Sequence, residues 1–254
     1  ALEYRNVVKT DIRVGPAQSA KLALELPQME IRAGEVVISA ASDKFFETNE
    51  DTRVSANILS QEEVRRAPGA VEDVSRMVQG LPGVVTASDA RNDIIARGGS
   101  PSENFIMIDG IEIPNINHFA TQGASGGPIG MINVDFLEDV NFSAGGFGVK
   151  YGDRLSSVMD IKYREGDKHG LHGKLDIGLA GGGIILEGPI QEDRSSFLIS
   201  ARRSYLDFIV GGTGLTAVPN YWNFNAKATF VLSKQHKLTF IGIGGIDNIT
   251  FDDF

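Results

Sequence analysis

The sequence predicts an α+β domain, with a mixed sheet and short helices, followed by antiparallel β-strands that form only part of a barrel. Three observations predict this class. Asp109-Gly110 separates the apolar run 105–108 from the alternating Ile111 and Ile113, and its two positive-φ positions suit a two-residue hairpin turn. Capped helical segments precede this hairpin. Strand-like alternation begins near residue 171 and continues toward the end of the chain.

Composition excludes several classes of function. The 254 residues carry a formal net charge of -9, which disfavours nucleic acid as a partner because a phosphate backbone requires a basic face. The absence of cysteine excludes disulfides, thiolate metal sites and a cysteine nucleophile. No apolar run approaches the roughly 20 residues of a membrane helix. A role in a membrane would therefore have to rely on strands.

The first 44 residues divide into two segments. Residues 1–34 predict strands around the Gly15-Pro16 turn, but a piece of this length is too short to bury a core by itself. Glu35–Ala40 is a β-prone run between Gly34 and a polar stretch. Such a segment can add as a strand to a partner protein, and it equally fits the final strand of the segment before it.

Two short helices are predicted before the hairpin. Ser60 and Glu63 form a capping box that begins a helix, and this helix ends at Pro68-Gly69. A second helix ends at Pro82-Gly83 and carries an apolar stripe that we assign to the core, formed by Val71, Val74, Met77, Val78 and Leu81. Residues 120–130 are predicted to be a flexible loop. A phosphate-binding loop is disfavoured there, because the Lys-Ser/Thr of that motif is missing.

The alternation after residue 171 predicts about five strands, each with one apolar face and one mostly polar face. Short turns are predicted at 188–194 and 233–236 and a long one at 206–222, which is the pattern of membrane barrels. Tyr205 and Tyr221-Trp222 would lie at strand ends, where an interfacial aromatic girdle places them. A soluble β-sandwich would show the same alternation.

Three segments together resemble the plug domain of TonB-dependent outer-membrane receptors: 81–84, 94–113 and 146–161. The resemblance is closest to Bacteroidetes-type receptors that carry a carboxypeptidase-regulatory-like domain before the plug, a subgroup that Asn115–Phe119 also fits. It implies four regions along the chain: 1–34 as the end of the regulatory-like β domain, 35–44 as a TonB-box-like linker, 45–165 as the plug domain, and 166–254 as the first strands of an incomplete outer-membrane barrel.

The resemblance also implies three sets of site residues. The plug motif and wall anchor comprise Arg97, Gly98, Gly99, Asp109 and Gly110. The plug–barrel junction comprises Tyr151, Gly152 and Arg154. The TonB-box-like segment comprises Glu35, Val36, Val37, Ile38 and Ser39. The Arg97 guanidinium, held between apolar residues and glycines, needs several acceptors, and we expect it to reach backbone carbonyls or a carboxylate across an interface.

The function implied by the resemblance is to occlude and gate an outer-membrane β-barrel pore in a TonB-dependent receptor for active uptake. The plug would face the periplasm of a Gram-negative bacterium. About five strands cannot close a barrel, which needs at least roughly eight. The barrel would be completed by missing strands of the same protein, or it would be a separate large barrel, such as a secretion translocon, closed by a stand-alone plug subunit. TonB and outer-membrane lipid are further expected partners. A soluble periplasmic binding or adhesion module is the third alternative.

The sequence contains no recognisable catalytic or cofactor-binding constellation. The four histidines, His118, His169, His172 and His236, lack metalloprotease spacing. Four carboxylates could in principle pair as acid and base, but each also fits a turn, a strand edge or a salt bridge: Asp109, Glu112, Asp139 and Asp160. We therefore predict a protein without enzymatic activity, cofactor or bound metal.

Overall fold

The computed structural model describes residues 56–70, 73–120, 126–178, 181–205 and 217–251. The regulatory-like segment, the TonB-box-like segment and the first part of the predicted plug region lie outside these ranges. Among the helices in the described ranges, none has the length and apolar character needed to cross a membrane.

The described residues begin with an α+β domain, as predicted. Its elements are β1 (Ala56–Ser60), α1 (Gln61–Arg66), α2 (Val74–Gln79), β2 (Val84–Val85), β3 (Ile95–Ala96), β4 (Phe105–Ile108), β5 (Ile111–Glu112), β6 (Asn117–His118), β7 (Ile129–Gly130), β8 (Leu137–Ser143) and β9 (Val158–Tyr163). Two 3-10 helices cover Pro101–Glu103 and Val134–Phe136. Five further strands follow: β10 (His172–Gly178), β11 (Gly181–Gln191), β12 (Ser195–Arg203), β13 (Ala217–Val231) and β14 (Lys237–Phe251).

The main sheet of the α+β domain is mixed, which confirms the predicted fold class. Its strand order is β1-β8-β9-β4-β5, with β4 and β9 parallel and the other pairs antiparallel. Both helices contribute to one apolar core with the central strands, through side chains such as Val64, Val78, Ile108, Phe142 and Ile161. This core supports the strands and turns that carry the polar side chains of the domain surface.

The local sequence signals for the hairpin and the first helix are confirmed. Asp109 and Gly110 have φ values of 47° and 86° and join β4 to β5 in a two-residue turn with both residues left-handed. The Ser60 backbone amide donates to Glu63 Oε2 at 2.7 Å, and the Glu63 amide donates to Ser60 Oγ at 3.4 Å. The predicted capping box therefore begins α1.

The last five strands form an open antiparallel sheet in the order β10-β11-β12-β13-β14, which we call the C-terminal sheet. The predicted number of strands is confirmed, but the predicted turn at 188–194 is wrong in its first part. Gly188–Gln191 continue β11, with a register shift between Pro189 and Gln191. A bulge of this kind accommodates a proline, which has no amide hydrogen for the ladder.

The predicted long turn at 206–222 is also too long. β13 begins at Ala217 and pairs with β14 over fifteen residues, so Tyr221 and Trp222 lie inside a strand and not at its end. Tyr221 is fully buried, whereas the neighbouring Trp222 is 41% exposed on the opposite face. The girdle prediction is therefore wrong for Tyr221, because the period of two in a strand places adjacent aromatics on opposite faces.

The predicted flexible loop at 120–130 is wrong at its end. Ile129–Gly130 pair with Asn117–His118 as the small β6–β7 sheet. The Gly130 amide also donates to Asp73 Oδ2 at 2.7 Å, which ties this strand to the start of α2. Two-residue pairings of this kind have no periodicity that a sequence pattern could reveal.

Candidate functional site

The two faces of the C-terminal sheet differ in polarity. One face carries exposed apolar side chains, including Leu175 at 78%, Ile177 at 83% and Phe240 at 58% exposure. The other face lies against the α+β domain, and along β13 it presents four buried polar side chains: Asn223, Asn225, Lys227 and Thr229. Buried polar groups must find partners, so the contact between domain and sheet is the candidate site.

A buried ion pair joins the β4–β5 turn to β13. Asp109 Oδ2 accepts a hydrogen bond from Lys227 Nζ at 2.8 Å, and the two side chains are only 18% and 7% exposed. Lys227 Nζ also donates to the Tyr163 carbonyl at 2.5 Å, while the Tyr163 amide donates to Asp109 Oδ1 at 3.2 Å. Breaking a buried pair of this kind costs about 3–5 kcal/mol because one charge is left uncompensated.

Amide side chains of β13 extend the same contact. Asn223 Nδ2 and Asn225 Nδ2 donate to the Met131 carbonyl at 2.6 and 3.0 Å. Tyr163 Oη donates to Asn225 Oδ1 at 3.0 Å, and burial raises the pKa of the Tyr163 phenol above its ordinary value. Because this phenol stays protonated, it remains a donor to the sheet.

Asp135 connects the helical side of the domain to the edge strand β10. Its carboxylate oxygens lie 2.5 Å from Arg65 Nη2 in α1 and 2.6 Å from Lys174 Nζ in β10. Burial by itself raises the pKa of Asp135, but the hydrogen bond from Lys174 and the charge of Arg65 outweigh it and hold the pKa below its usual value. The carboxylate therefore stays ionised and links both cations.

His118 makes the corresponding contact with β14. The His118 side chain is fully buried, and its Nδ1 lies 2.5 Å from Asp247 Oδ1. The Phe119 amide donates to Asp247 Oδ2 at 2.7 Å, and the imidazole packs on Tyr221 with ring centroids 4.3 Å apart. A Cβ at Gly245 would come within 2.8 Å of His118 Cε1, so glycine there leaves the space that the imidazole occupies.

The protonation state of His118 follows from its surroundings. Burial lowers its pKa below the ordinary 6.5, and the charge of Arg202 acts in the same direction, whereas the hydrogen bond to Asp247 opposes both. Its Nε2 has no hydrogen-bond partner among the described residues. A neutral imidazole that donates from Nδ1 to Asp247 fits these observations, because its Nε2 is then an acceptor without a proton.

The segment between β9 and β10 is fastened to the sheet by charge. Arg164 forms a bidentate salt bridge with Glu187 of β11: Nη1 donates to Oε2 at 2.6 Å and Nη2 donates to Oε1 at 3.0 Å. Burial raises the pKa of Glu165, but hydrogen bonds and charge from Lys168 and Lys237 lower it overall to about 2. Ion pairs and hydrogen bonds therefore hold the segment that joins the α+β domain to β10 against the C-terminal sheet.

Residues 48–157 match the family model described as TonB-dependent Receptor Plug Domain. These residues are a TonB-dependent receptor plug domain. We therefore call the α+β domain the plug domain. No curated protein matches the chain.

Solved structures share the fold of the chain. The siderophore receptor PirA from Acinetobacter baumannii is 16% identical with a TM-score of 0.56, over 78% of this chain and 32% of that one. PirA from Pseudomonas aeruginosa is 17% identical with a TM-score of 0.55, over 77% and 34%. The copper transporter OprC is 14% identical with a TM-score of 0.52, over 77% and 30%. The chain spans about a third of the length of these structures.

The structure places the predicted wall anchors of the plug domain in two locations. Asp109 and Gly110 lie at the C-terminal sheet, where Asp109 binds Lys227. Arg97 is exposed, has a φ of 50°, and lies beside Gly145, where an added Cβ would be 3.3 Å from Arg97 Nη1. Gly98 follows with a φ of 80°. A role of Arg97 in anchoring the plug domain to a wall thus stays a prediction.

Gly99 and the predicted junction residues pack within the plug domain. A Cβ at Gly99 would lie 2.5 Å from Ser156 Oγ, so this glycine permits close packing. Tyr151 is buried and donates to Asp160 Oδ2 at 3.3 Å. Arg154 lies 2.5 Å from Glu112 Oε1 in β5 and over the Phe105 ring in β4. Gly152 lies in the turn between Tyr151 and Arg154. Tyr151 and Arg154 thus support the sheet that carries the Asp109 turn.

Sequence reasoning missed most of the partners on the sheet. Lys227 and Asp247 look like ordinary polar positions of alternating strands. His118 belongs to the segment that fits the receptor subgroup and lacks metalloprotease spacing, and neither observation predicts its partner on the sheet. One signal was available: a lysine among the asparagines of a strand face predicts a buried carboxylate opposite, because a charge on such a face must be paired.

Proposed function

We propose that the chain is the plug domain and the first wall strands of an outer-membrane receptor, and that the plug domain occludes and gates the pore of the barrel. The observation that carries this proposal is the buried Asp109–Lys227 pair within a polar contact, on a sheet whose other face is apolar and exposed. An apolar outer face and a polar inner face are the pattern of a barrel wall in a membrane.

The names of the similar structures support a location and a class of transport for this chain. The similar structures are named as siderophore receptors and a copper transporter, which supports uptake across the outer membrane of a Gram-negative bacterium, with no enzymatic step. We infer that residues 35–39 recruit TonB from the periplasm and that Arg97 anchors the plug domain to wall strands beyond the five described.

The ion pairs between the plug domain and strands of the same chain favour a receptor over a stand-alone plug for another protein's barrel. Strands β10, β12, β13 and β14 contact the plug domain directly. Strand β11 binds Arg164, which lies in the segment that follows the plug domain. A plug subunit that works in a separate barrel would have no need of wall strands matched to its own surface.

Channel recordings test this function. The full-length protein in a planar lipid bilayer should show little current, and an in-frame deletion of 56–163 should produce large open steps. In cells, the deletion should also admit a bulky antibiotic that the outer membrane excludes, such as vancomycin. A deletion variant that inserts in the membrane but conducts no more than the intact protein would contradict the proposal.

A further inference from the structure

The exposed face of the C-terminal sheet is apolar in successive rows, with one cation at its edge. The row at this edge contains the cation, Arg203, among mostly apolar neighbours. Its paired residues across the five strands are Ile177, Gly182, Arg203, Trp222 and Ile246. Arg202, the preceding residue, lies on the opposite face and donates to the Gly130 carbonyl of the plug domain at 3.1 Å. Alternation therefore places Arg203 on the apolar outer face.

Arg203 lies against an aromatic surface. Its guanidinium carbon is 5.8 Å from the centre of the Trp222 ring, which is a cation–π arrangement. Trp222 in turn stacks on Phe224, with ring centroids 6.0 Å apart and planes 2° from parallel. Both rings are 41% exposed, so the apolar surface beside the cation is accessible.

The row of Arg203 marks the end of the apolar band. One row farther, the paired residues on this face are Asn220 and Asn248, which are polar. At the other end, Phe230 and Phe240 make an aromatic contact near the short turn at 232–236. The eight residue steps from Phe230 to Trp222 span about 27 Å along the strand. With the usual barrel tilt this is a height of about 20 Å, close to the thickness of a membrane-embedded band.

We propose that Arg203 and Trp222 form a binding site for the phosphorylated headgroup of a membrane lipid, at the rim where the thirteen-residue connection 204–216 joins β12 to β13. The guanidinium presents a planar fork of donors that matches phosphate oxygens. Trp222 and Phe224 would contact the first part of the acyl chains, where interfacial aromatics lie. Gly182, the paired neighbour of Arg203 on β11, adds no side chain to this row beside the guanidinium.

This inference rests on the proposed membrane location of the sheet and adds a lipid class and a place to it. Long connections of outer-membrane barrels face outward, so the lipid belongs to the outer leaflet. A free phosphate ion shares the headgroup chemistry but not the apolar contact, and the two sources can be separated by experiment.

The test uses the full-length protein in dodecyl maltoside, a detergent without phosphate. Dioleoyl phosphatidylglycerol is added in steps, and bound lipid is counted by native mass spectrometry. Arg203→Gln should lose one bound lipid or weaken the corresponding affinity about tenfold, and Arg203→Lys should restore part of it. Lys234→Gln is the matched control, because it removes one exposed charge from the turn at the opposite rim and should leave binding unchanged.

Two further binding measurements distinguish a lipid headgroup from a free phosphate ion as the ligand. Dioleoylglycerol, which has the same chains without phosphate, should not fill the site, and inorganic phosphate at equal concentration should not compete. Equal binding by Arg203→Gln and the parent protein, or equal binding of dioleoylglycerol, would overturn the proposal, as would full competition by inorganic phosphate. A protein that stays in solution without detergent would instead refute the proposed function, so the two failures are distinguishable.

Discussion

The buried Asp109–Lys227 pair should control how firmly the plug domain is held against the sheet. Lys227→Met leaves the Asp109 carboxylate with the Tyr163 amide but without a cation. Asp109→Asn keeps a residue that tolerates the left-handed turn, but it removes the negative charge opposite the Lys227 ammonium, whose remaining described acceptors are neutral oxygens such as the Tyr163 carbonyl. Each single change should cost about 3 kcal/mol, at the lower end of the range for a broken buried pair because Asp109 is 18% exposed.

Hydrogen exchange of the β4–β5 hairpin in the full-length protein measures this cost. A loss of about 3 kcal/mol corresponds to roughly a hundredfold faster exchange where local opening limits protection. The double variant Asp109→Asn/Lys227→Met removes both charges, so its exchange should be much slower than the product of the two single effects predicts. Lys162→Met is the matched control. It breaks an exposed pair with Asp139, at 3.4 Å, and should change exchange by only a few-fold.

Two results would refute this account of the contact. In the first, either single variant exchanges at the parental rate, which would mean that the ion pair contributes nothing to docking. In the second, the double variant loses the full sum of the single effects, which would mean that the two side chains act through separate contacts.

Three further predictions concern the other contacts. Gly245→Val should displace the His118 imidazole and lower the thermal midpoint, whereas Gly244→Val, where an added Cβ meets no atom within 4 Å, should not; equal effects would contradict the close approach. Burial lowers the pKa of His118 in the folded protein, so as pH falls the imidazole of the unfolded state is protonated before that of the folded state. The stability that the neutral imidazole contributes is therefore present above pH 6.5 and is lost as pH falls below 6.5. The difference in thermal midpoint between the parent and His118→Gln should shrink between about pH 7.5 and pH 5, and a constant difference would count against a buried neutral imidazole. Deleting residues 35–39 should abolish binding of the purified periplasmic domain of TonB without opening the pore, as a pull-down assay and antibiotic exclusion would reveal; unchanged binding would remove the proposed TonB contact.

The features that the sequence predicted well are local. The Asp109-Gly110 turn and the Ser60 capping box depend on residues within a few positions, and the structure confirms both. Strand boundaries were predicted less well, because pairing with a neighbour extends a strand through residues with weak propensity. Pro189 continues β11 at a bulge, and Pro219 lies inside β13 because β14 pairs along the whole of it.

The contacts across the candidate site were beyond sequence reasoning for a different reason. Asp109 and Lys227 are 118 positions apart, and His118 and Asp247 are 129 apart. Their meeting depends on the register of two sheets and on the position of the plug domain against one of them. A period of two can assign Lys227 to the inner face, but it cannot choose the carboxylate that lies opposite.

The chemistry of this contact suits a plug that must be both held and released. An apolar contact of the same size would gain free energy in proportion to its buried area and would expose that area to water whenever the plug moved. Asp109, Lys227 and Asn225 lose their partners on release, but as water enters it can hydrate all three, so the released state is not an exposed apolar surface. Burial makes each pair costly to break alone, whereas hydration makes complete separation less costly. A contact built in this way favours a closed state and an open state over partly detached states.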